Sequence, residues 1–296
     1  MWSAFHLLKA ITLLPHPQRL WIGRLIGKIL YAVSPKRRAI ADINLELCFP
    51  DWSAEKRAEV IKKQFLSLGM AFINTGVAWW AADDKIKYLA NVHGLEYLES
   101  AVKQGRGVIL LSAHFTHLEF GLRLLRTHTD HPLMAVYQPN SNALLDELIN
   151  TNRMQKAKDV ISYKDIKKMI RYLKNNEIIW YAPDQGYKGK YYEMVPFFGI
   201  PAASNTATSR LARFNNSVVL PFFTRHAENG ESYEVTLLPP LDNFPSDDVL
   251  KDTERYHHLI EEEVRKSPEQ YLWIHRRFKK RPAEYPDLYK DIALRK

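Results

Sequence analysis

The stretch GVILLSA, residues 107–113, constrains this chain most. It is uncharged, aliphatic and partly β-branched, as expected of a strand covered on both faces of a parallel sheet. The residues after it, THLEFGLRLLR (116–126), place apolar side chains at 118, 122 and 125 and arginines at 123 and 126, a helical pattern. The alternation continues along the chain. LMAVYQP (133–139), EIIWYAPD (177–184), SVVLPFF (217–223) and YEVTLLPP (233–240) read as strands. Helical patterns fall at about 143–157, 165–175, 203–214 and 253–266, and residues 36–104 read mostly helical. Strands alternating with helices predict an α/β fold with a largely parallel, mixed sheet flanked by helices. No internal repeat, low-complexity tract or flexible linker interrupts it, so residues 34–296 are expected to form one domain.

A strand end running into a helix start is where open α/β sheets place ligands. Here that junction carries His114, His117 and Glu119. Two readings fit the spacing. Thr116-x-x-Glu119 matches a capping box, with Glu119 bonding back to the backbone of Thr116. Alternatively Glu119, one turn inside the helix, orients the His114 imidazole, and a histidine held by an acid is suited to act as a general base. His117 lies two residues from Glu119 and is badly placed to share a helix face with it. A zinc site from His114, His117 and Glu119 is poorly supported by so short a motif, and no metal is expected. His257 and His258, among Glu261 to Glu263, read as a solvated helix face.

Residues 1–33 form a separate segment. Lys9, Arg19, Arg24 and Lys28, with Pro15 and Pro17, interrupt any uncharged apolar run of transmembrane length, and the segment lacks the pattern of a usual signal peptide. Apolar positions 22, 25, 26, 29, 30 and 33 make one helical stripe, with Arg24 and Lys28 together off it and Trp21 and Tyr31 alongside. That pattern fits a helix lying in an anionic membrane surface, or an amphipathic helix packed on the domain. The net charge of +9 and pI near 9.4 call for an acidic partner: nucleic acid, anionic lipid or an acidic protein. A single cysteine, Cys48, excludes a disulfide framework and fits a reducing compartment. Gly-rich phosphate-binding motifs are absent.

NLELCFPDWSAEKR, AWW, GRGVILLSAHFTHLEFG, VYQPNSNALLDELINTNR, WYAPDQGY, VPFFGIPAAS and PEQYLWIHRRFKKRP occur in that order from about residue 44. Together they resemble the late acyltransferases of lipid A biosynthesis, and the ending is most similar to the lauroyl and palmitoleoyl branch. The resemblance runs over about residues 20–285. It implies transfer of an acyl chain from acyl carrier protein to a hydroxyl of the Kdo-lipid IVA precursor, at the cytoplasmic face of the inner membrane, without a cofactor. By residue match His114 would be the general base and Glu119 its orienting acid. Backbone amides at the start of the following helix would be available to an oxyanion. Arg153, otherwise a surface helix charge, would be an oxyanion donor or phosphate clamp. Asp184 and Tyr187 would border the substrate, although Asp184 also suits a turn. The run Arg276, Arg277, Lys279, Lys280 and Arg281 can be read as gripping lipid phosphates, a carrier protein or RNA; bidentate arginine pairing and the preceding Tyr271-Leu272-Trp273, suited to a membrane-facing rim, favour the phosphates. Two positions depart from the family pattern. Gln138 replaces a frequent arginine, and the second acid expected after Asp184 is missing from Gln185-Gly186-Tyr187-Lys188. Acyl transfer to another membrane lipid is the alternative activity, and a basic nucleic-acid-binding protein the alternative outside enzymology.

Overall fold

The computed structural model describes residues 2–187, 189, 192–228 and 230–295. Four helices come first: α1 (Trp2–Ile11), α2 (His16–Val33), α3 (Pro35–Cys48) and α4 (Ala54–Trp80). The sheet region follows as β1 (Ala90–His93), α5 (Leu95–Lys103), β2 (Val108–Leu111), α6 (Leu118–Arg126), β3 (Leu133–Tyr137), α7 (Ala143–Met154), β4 (Asp159–Ser162), α8 (Ile166–Lys174) and β5 (Ile178–Tyr181). It ends with β6 (Tyr192–Phe197), β7 (Ile200–Asn205), α9 (Ala207–Arg213), β8 (Val218–His226), β9 (Tyr233–Leu237) and α10 (Val249–Lys266). The main sheet has the order β1-β9-β8-β2-β5-β3-β4. Its last five members are mutually parallel, while β9 runs antiparallel to β8 and β1 parallel to β9.

All the apolar runs expected to be strands are strands. Three features escape the periodicity. The strands β1 and β4 are only four residues long, too short to show an alternation. The hairpin β6–β7 contains Pro196 paired with Pro201, and proline argues against strand in a sequence. The helix expected from 203 starts at Ala207, because residues up to Asn205 belong to this hairpin.

Strand β2 explains the layering. All four of its residues are buried, and the pleat sends them alternately to two cores. Ile109 and Leu111 join Met169, Leu173, Leu211, Tyr256 and Ile260, from α8, α9 and α10. Val108 and Leu110 join Leu98, Phe120, Leu124 and Trp79, from α5, α6 and the end of α4. Each face of the sheet is thereby covered by helices.

Helix α2 is docked in the reverse sense to an ordinary amphipathic helix. Its buried face holds two polar residues, one leucine and two glycines: His16, Arg19, Leu20, Gly23 and Gly27. The two glycines let it press on α4, where a Cβ at Gly23 would lie 2.6 Å from Met70 Cα and one at Gly69 2.1 Å from the Gly23 carbonyl. The apolar stripe faces outward, with Trp21 65%, Ile29 54% and Val33 67% exposed. Among the described residues no helix is long and apolar enough to cross a membrane.

Candidate active site

The C-terminal ends of the parallel strands converge on one cleft, and the register of β2 with β5 places its central residues. Leu111 pairs with Tyr181, and the Ser112 amide donates to the Tyr181 carbonyl at 2.8 Å. Three residues beyond that paired step stand His114 on one chain segment and Asp184 on the other. His114 Nδ1 lies 2.6 Å from Asp184 Oδ1, and the His114 amide donates to Oδ2 at 3.0 Å. The Tyr271 hydroxyl donates to Oδ2 at 2.9 Å. Asp184 is buried. Burial alone would push its carboxyl up, but the His114 ring, the His114 amide and the Tyr271 hydroxyl outweigh that and bring it down to about 2. An ionised carboxylate only accepts, so it fixes the proton on His114 Nδ1 and leaves the Nε2 lone pair for a substrate.

The loop carrying His114 is clamped from the other side. The Thr116 amide donates to the Gln270 carbonyl at 2.8 Å, and the Leu272 amide to the His114 carbonyl at 3.0 Å. Gln64 also donates its side-chain amide to the Tyr271 carbonyl. These bonds hold the segment 270–275 against the loop and bring His275 to the cleft beside His114. Burial, then the neighbouring His114, lowers the His275 imidazole to about 4, so it is neutral at physiological pH.

Glu119 does not partner His114. Its carboxylate accepts from Arg153 Nε at 2.9 and 3.1 Å, from Arg153 Nη2 at 2.6 Å and from Trp79 Nε1 at 3.2 Å. The capping box is not formed either. Helix α6 has His117 at its N-cap, the Thr116 hydroxyl pairs with Ser67 Oγ at 2.6 Å, and the Thr116 amide is engaged by Gln270. Spacing along the chain suggests two partners for Glu119, and the fold supplies a third from α7. Burial disfavours the Arg153 charge, yet Glu119 more than compensates and raises its pKa. Both side chains line the cleft, a space of about 710 Å³ that also meets His114, Gln138, Tyr187 and Lys280.

The other residues singled out in the sequence fall elsewhere. His117 is buried between Asn74 and Ser67, and burial lowers its pKa well below the usual value. His257 is not on a solvated face: it is fully buried and its Nδ1 lies 2.7 Å from the Pro196 carbonyl. The basic run is not one surface. Arg277 is buried, donating to the Ala203 carbonyl at 3.1 Å and to Ser204 Oγ at 2.8 Å, which corrects its assignment to lipid phosphate. Arg276 stacks its guanidinium 5.9 Å from the Tyr289 ring, and neither arginine lines the cleft. Lys280, from the same run, does line it. Lys188 lies outside the described residues.

Part of the backbone before and at the start of α6 is already engaged. The amides of His114, Phe115, Thr116 and Leu118 are bonded within the protein, which leaves those of Glu119 and Phe120, in the first turn, as the backbone donors for an oxyanion. Neither Ser112 nor Cys48 lines the cleft. Ser112 is buried, and Cys48 is buried in a core that pushes its thiol far up.

Residues 1–280 match the family model described as bacterial lipid A biosynthesis acyltransferase. The chain is 36% identical over 289 residues to the lipid A biosynthesis lauroyltransferase of Escherichia coli K12, covering 97% of this chain and 94% of the relative. It is 39% identical over 293 residues to a lipid A biosynthesis acyltransferase of Haemophilus influenzae, covering 97% and 93%. With the palmitoleoyltransferase of Escherichia coli K12 it shares 35% over 289 residues, covering 97% and 94%.

Proposed function

Because this chain belongs to the bacterial lipid A biosynthesis acyltransferase family, and is an acyltransferase, we propose that it moves a fatty acyl chain from acyl carrier protein to a hydroxyl of Kdo-lipid IVA. The observation that carries the mechanism is the His114–Asp184 contact at the floor of the cleft. His114 Nε2 takes the proton of the lipid hydroxyl as its oxygen attacks the thioester carbonyl. Asp184 balances the imidazolium that forms. The tetrahedral intermediate collapses by expelling the thiol, which leaves with the proton from His114. The transfer is direct, from thioester to hydroxyl without an acyl-enzyme, since neither the buried Ser112 nor the single cysteine, Cys48, lines the cleft.

Arg153 is the side chain placed to meet negative charge. Glu119 holds its Nε and Nη2, which fixes the plane of the guanidinium at the wall of the cleft. An oxyanion or a lipid phosphate is the group a guanidinium held this way would receive. Glu119 is then the residue that positions Arg153, and Asp184 takes the role that spacing assigns to Glu119. Gln138 and Lys280 line the same cleft, and Lys280 supplies a cation where Gln138 replaces the frequent arginine. The test is purified protein with acyl carrier proteins bearing different chains and the tetra-acylated precursor, read by mass spectrometry. A product heavier by one acyl group supports the reading. Transfer only to a different lipid would leave the acyltransferase and overturn the acceptor.

The enzyme works at the cytoplasmic face of the inner membrane, resting on residues 1–33 without crossing. The outward apolar stripe of α2 supports this, because a helix that packs through small residues and exposes its large ones suits a lipid surround. Arg24 and Lys28 flank the stripe, where they favour anionic headgroups. Leu25→Glu with Ile29→Glu should move the protein from the membrane to the soluble fraction with its melting temperature kept, since both side chains are exposed. Retention of the double variant on membranes after a high-salt wash would remove α2 as the anchor.

A further inference from the structure

A groove between α8, α9 and the start of α10 takes no part in the chemistry above. It encloses about 550 Å³ and is lined by Ile166, Leu211, Phe214 and Val249, with Arg210, Arg213 and Asp247 beside them. Ile166 and Phe214 remain 38% and 57% exposed. A cluster of large apolar side chains left in water marks a contact surface. The groove also adjoins the active site. Tyr163 and Asn205 border the catalytic cleft, and Ile166 and Ala207 of the groove follow them by three and two residues.

Basic side chains outnumber acidic ones around it. The turn into α8 and the helix itself hold Lys164, Lys167, Lys168, Arg171 and Lys174 against Asp165. Lys168 is paired with Asp159 at 2.7 Å, and Arg213 meets Asp247 at 3.5 Å. Lys164, Lys167, Arg171 and Lys174 are exposed. A partner with carboxylates around an apolar protrusion matches this surface in both shape and charge. A lipid surface matches it less well: the groove is concave, and the apolar stripe suited to lipid belongs to α2, which packs on α4.

We propose that this groove docks the acidic carrier protein that delivers the acyl thioester, with an apolar side chain of the carrier seated between Ile166 and Phe214. The proposal rests on reading the donor as acyl carrier protein. The carrier's carboxylates face Arg210, Arg213 and the lysines of α8. Its pantetheine arm then enters the cleft past Tyr163 and Asn205, towards His114.

Phe214→Asp and Arg213→Glu test it, each assayed with lauroyl–acyl carrier protein and with lauroyl–coenzyme A, which has the same arm and no protein. The wild type comes first. A clear preference for the carrier thioester sustains the donor reading, and equal use of both donors overturns that reading and the docking site with it. Given the preference, each variant should raise KM for the carrier thioester about tenfold or more. Its KM for the lipid acceptor and its kcat/KM with lauroyl–coenzyme A should stay unchanged. Equal losses with both donors, or no loss with either, overturn the docking site alone. Weakened binding to vesicles of anionic phospholipid at unchanged donor KM also overturns it, and would make the groove a membrane contact.

Discussion

His114→Ala and Asp184→Asn should each lower kcat by about 10²–10⁴-fold, the range general-base catalysis supplies. The two losses have different origins. Alanine removes the base. Asparagine keeps the shape of the carboxylate but puts an NH₂ group in place of one oxygen, facing either ring Nδ1–H or the His114 amide and Tyr271 hydroxyl, donors it cannot satisfy. The imidazole is then free to take the other tautomer, with Nε2 protonated and unable to accept the hydroxyl proton. The His114→Ala fold should persist, because Asp184 keeps the His114 backbone amide and the Tyr271 hydroxyl. Asp184→Asn should also move the acidic limb of the pH–rate profile, since the charge opposite the ring is gone. An Asp184→Asn enzyme within a few-fold of wild type would remove Asp184 from the mechanism.

The same carboxyl has a signature in stability. Its folded-state pKa of about 2 lies below its ordinary value of 3.8. A depressed carboxyl contributes stability that is present above the unfolded value and is lost as pH falls through the folded one. Wild type should therefore weaken between about pH 4 and 2 more steeply than Asp184→Asn, as read from urea midpoints across that range. Parallel slopes would mean that the bonds to Asp184 do not favour its ionised form.

Much of this site is legible in the sequence, and the part that is not shows where one-dimensional reading fails. The uncharged run at 107–113 can only be a covered strand, and the helical pattern after it makes the junction at His114 a ligand position. Spacing gives Glu119 to His114 because it measures neighbours along the chain. The true partner sits 70 residues away, brought in by the pairing of β2 with β5. A trace of it is readable: GVILLSAH and EIIWYAPD have equal length and each ends in a polar residue. Aligned as neighbouring strands, the two runs set His114 and Asp184 side by side. Arg277 fails for another reason. Charge runs are read as surface, but a guanidinium can be buried when carbonyls, hydroxyls and an aromatic face surround it. Here Ala203, Ser204 and the Phe197 ring do so, and none of them is near it in sequence. The outward stripe of α2 is visible as periodicity, whereas its direction depends on Gly23 and Gly27 finding Gly69.

The Glu119–Arg153 pair should behave as a unit separate from the base. Each side chain is only about a fifth exposed, at 21% and 23%. Removing one partner strands the other charge, and for buried pairs that costs about 3–5 kcal/mol; the remaining solvent access puts this pair at or below the lower end. In activity the consequence is displacement of the Arg153 guanidinium, and misplacing a substrate-binding group costs roughly 10²-fold. Glu119→Gln and Arg153→Met should therefore each lower kcat/KM by about that factor, and the double variant should be little worse than the worse single one. The pH–rate limbs should stay in place in all three, because none of them touches His114. Additive losses, or an acidic limb moved by Glu119→Gln as by Asp184→Asn, would return Glu119 to the imidazole. Non-additive losses with fixed limbs leave one arrangement: an arginine aimed by a glutamate at the charge that develops, and a histidine aimed by an aspartate at the proton that must leave.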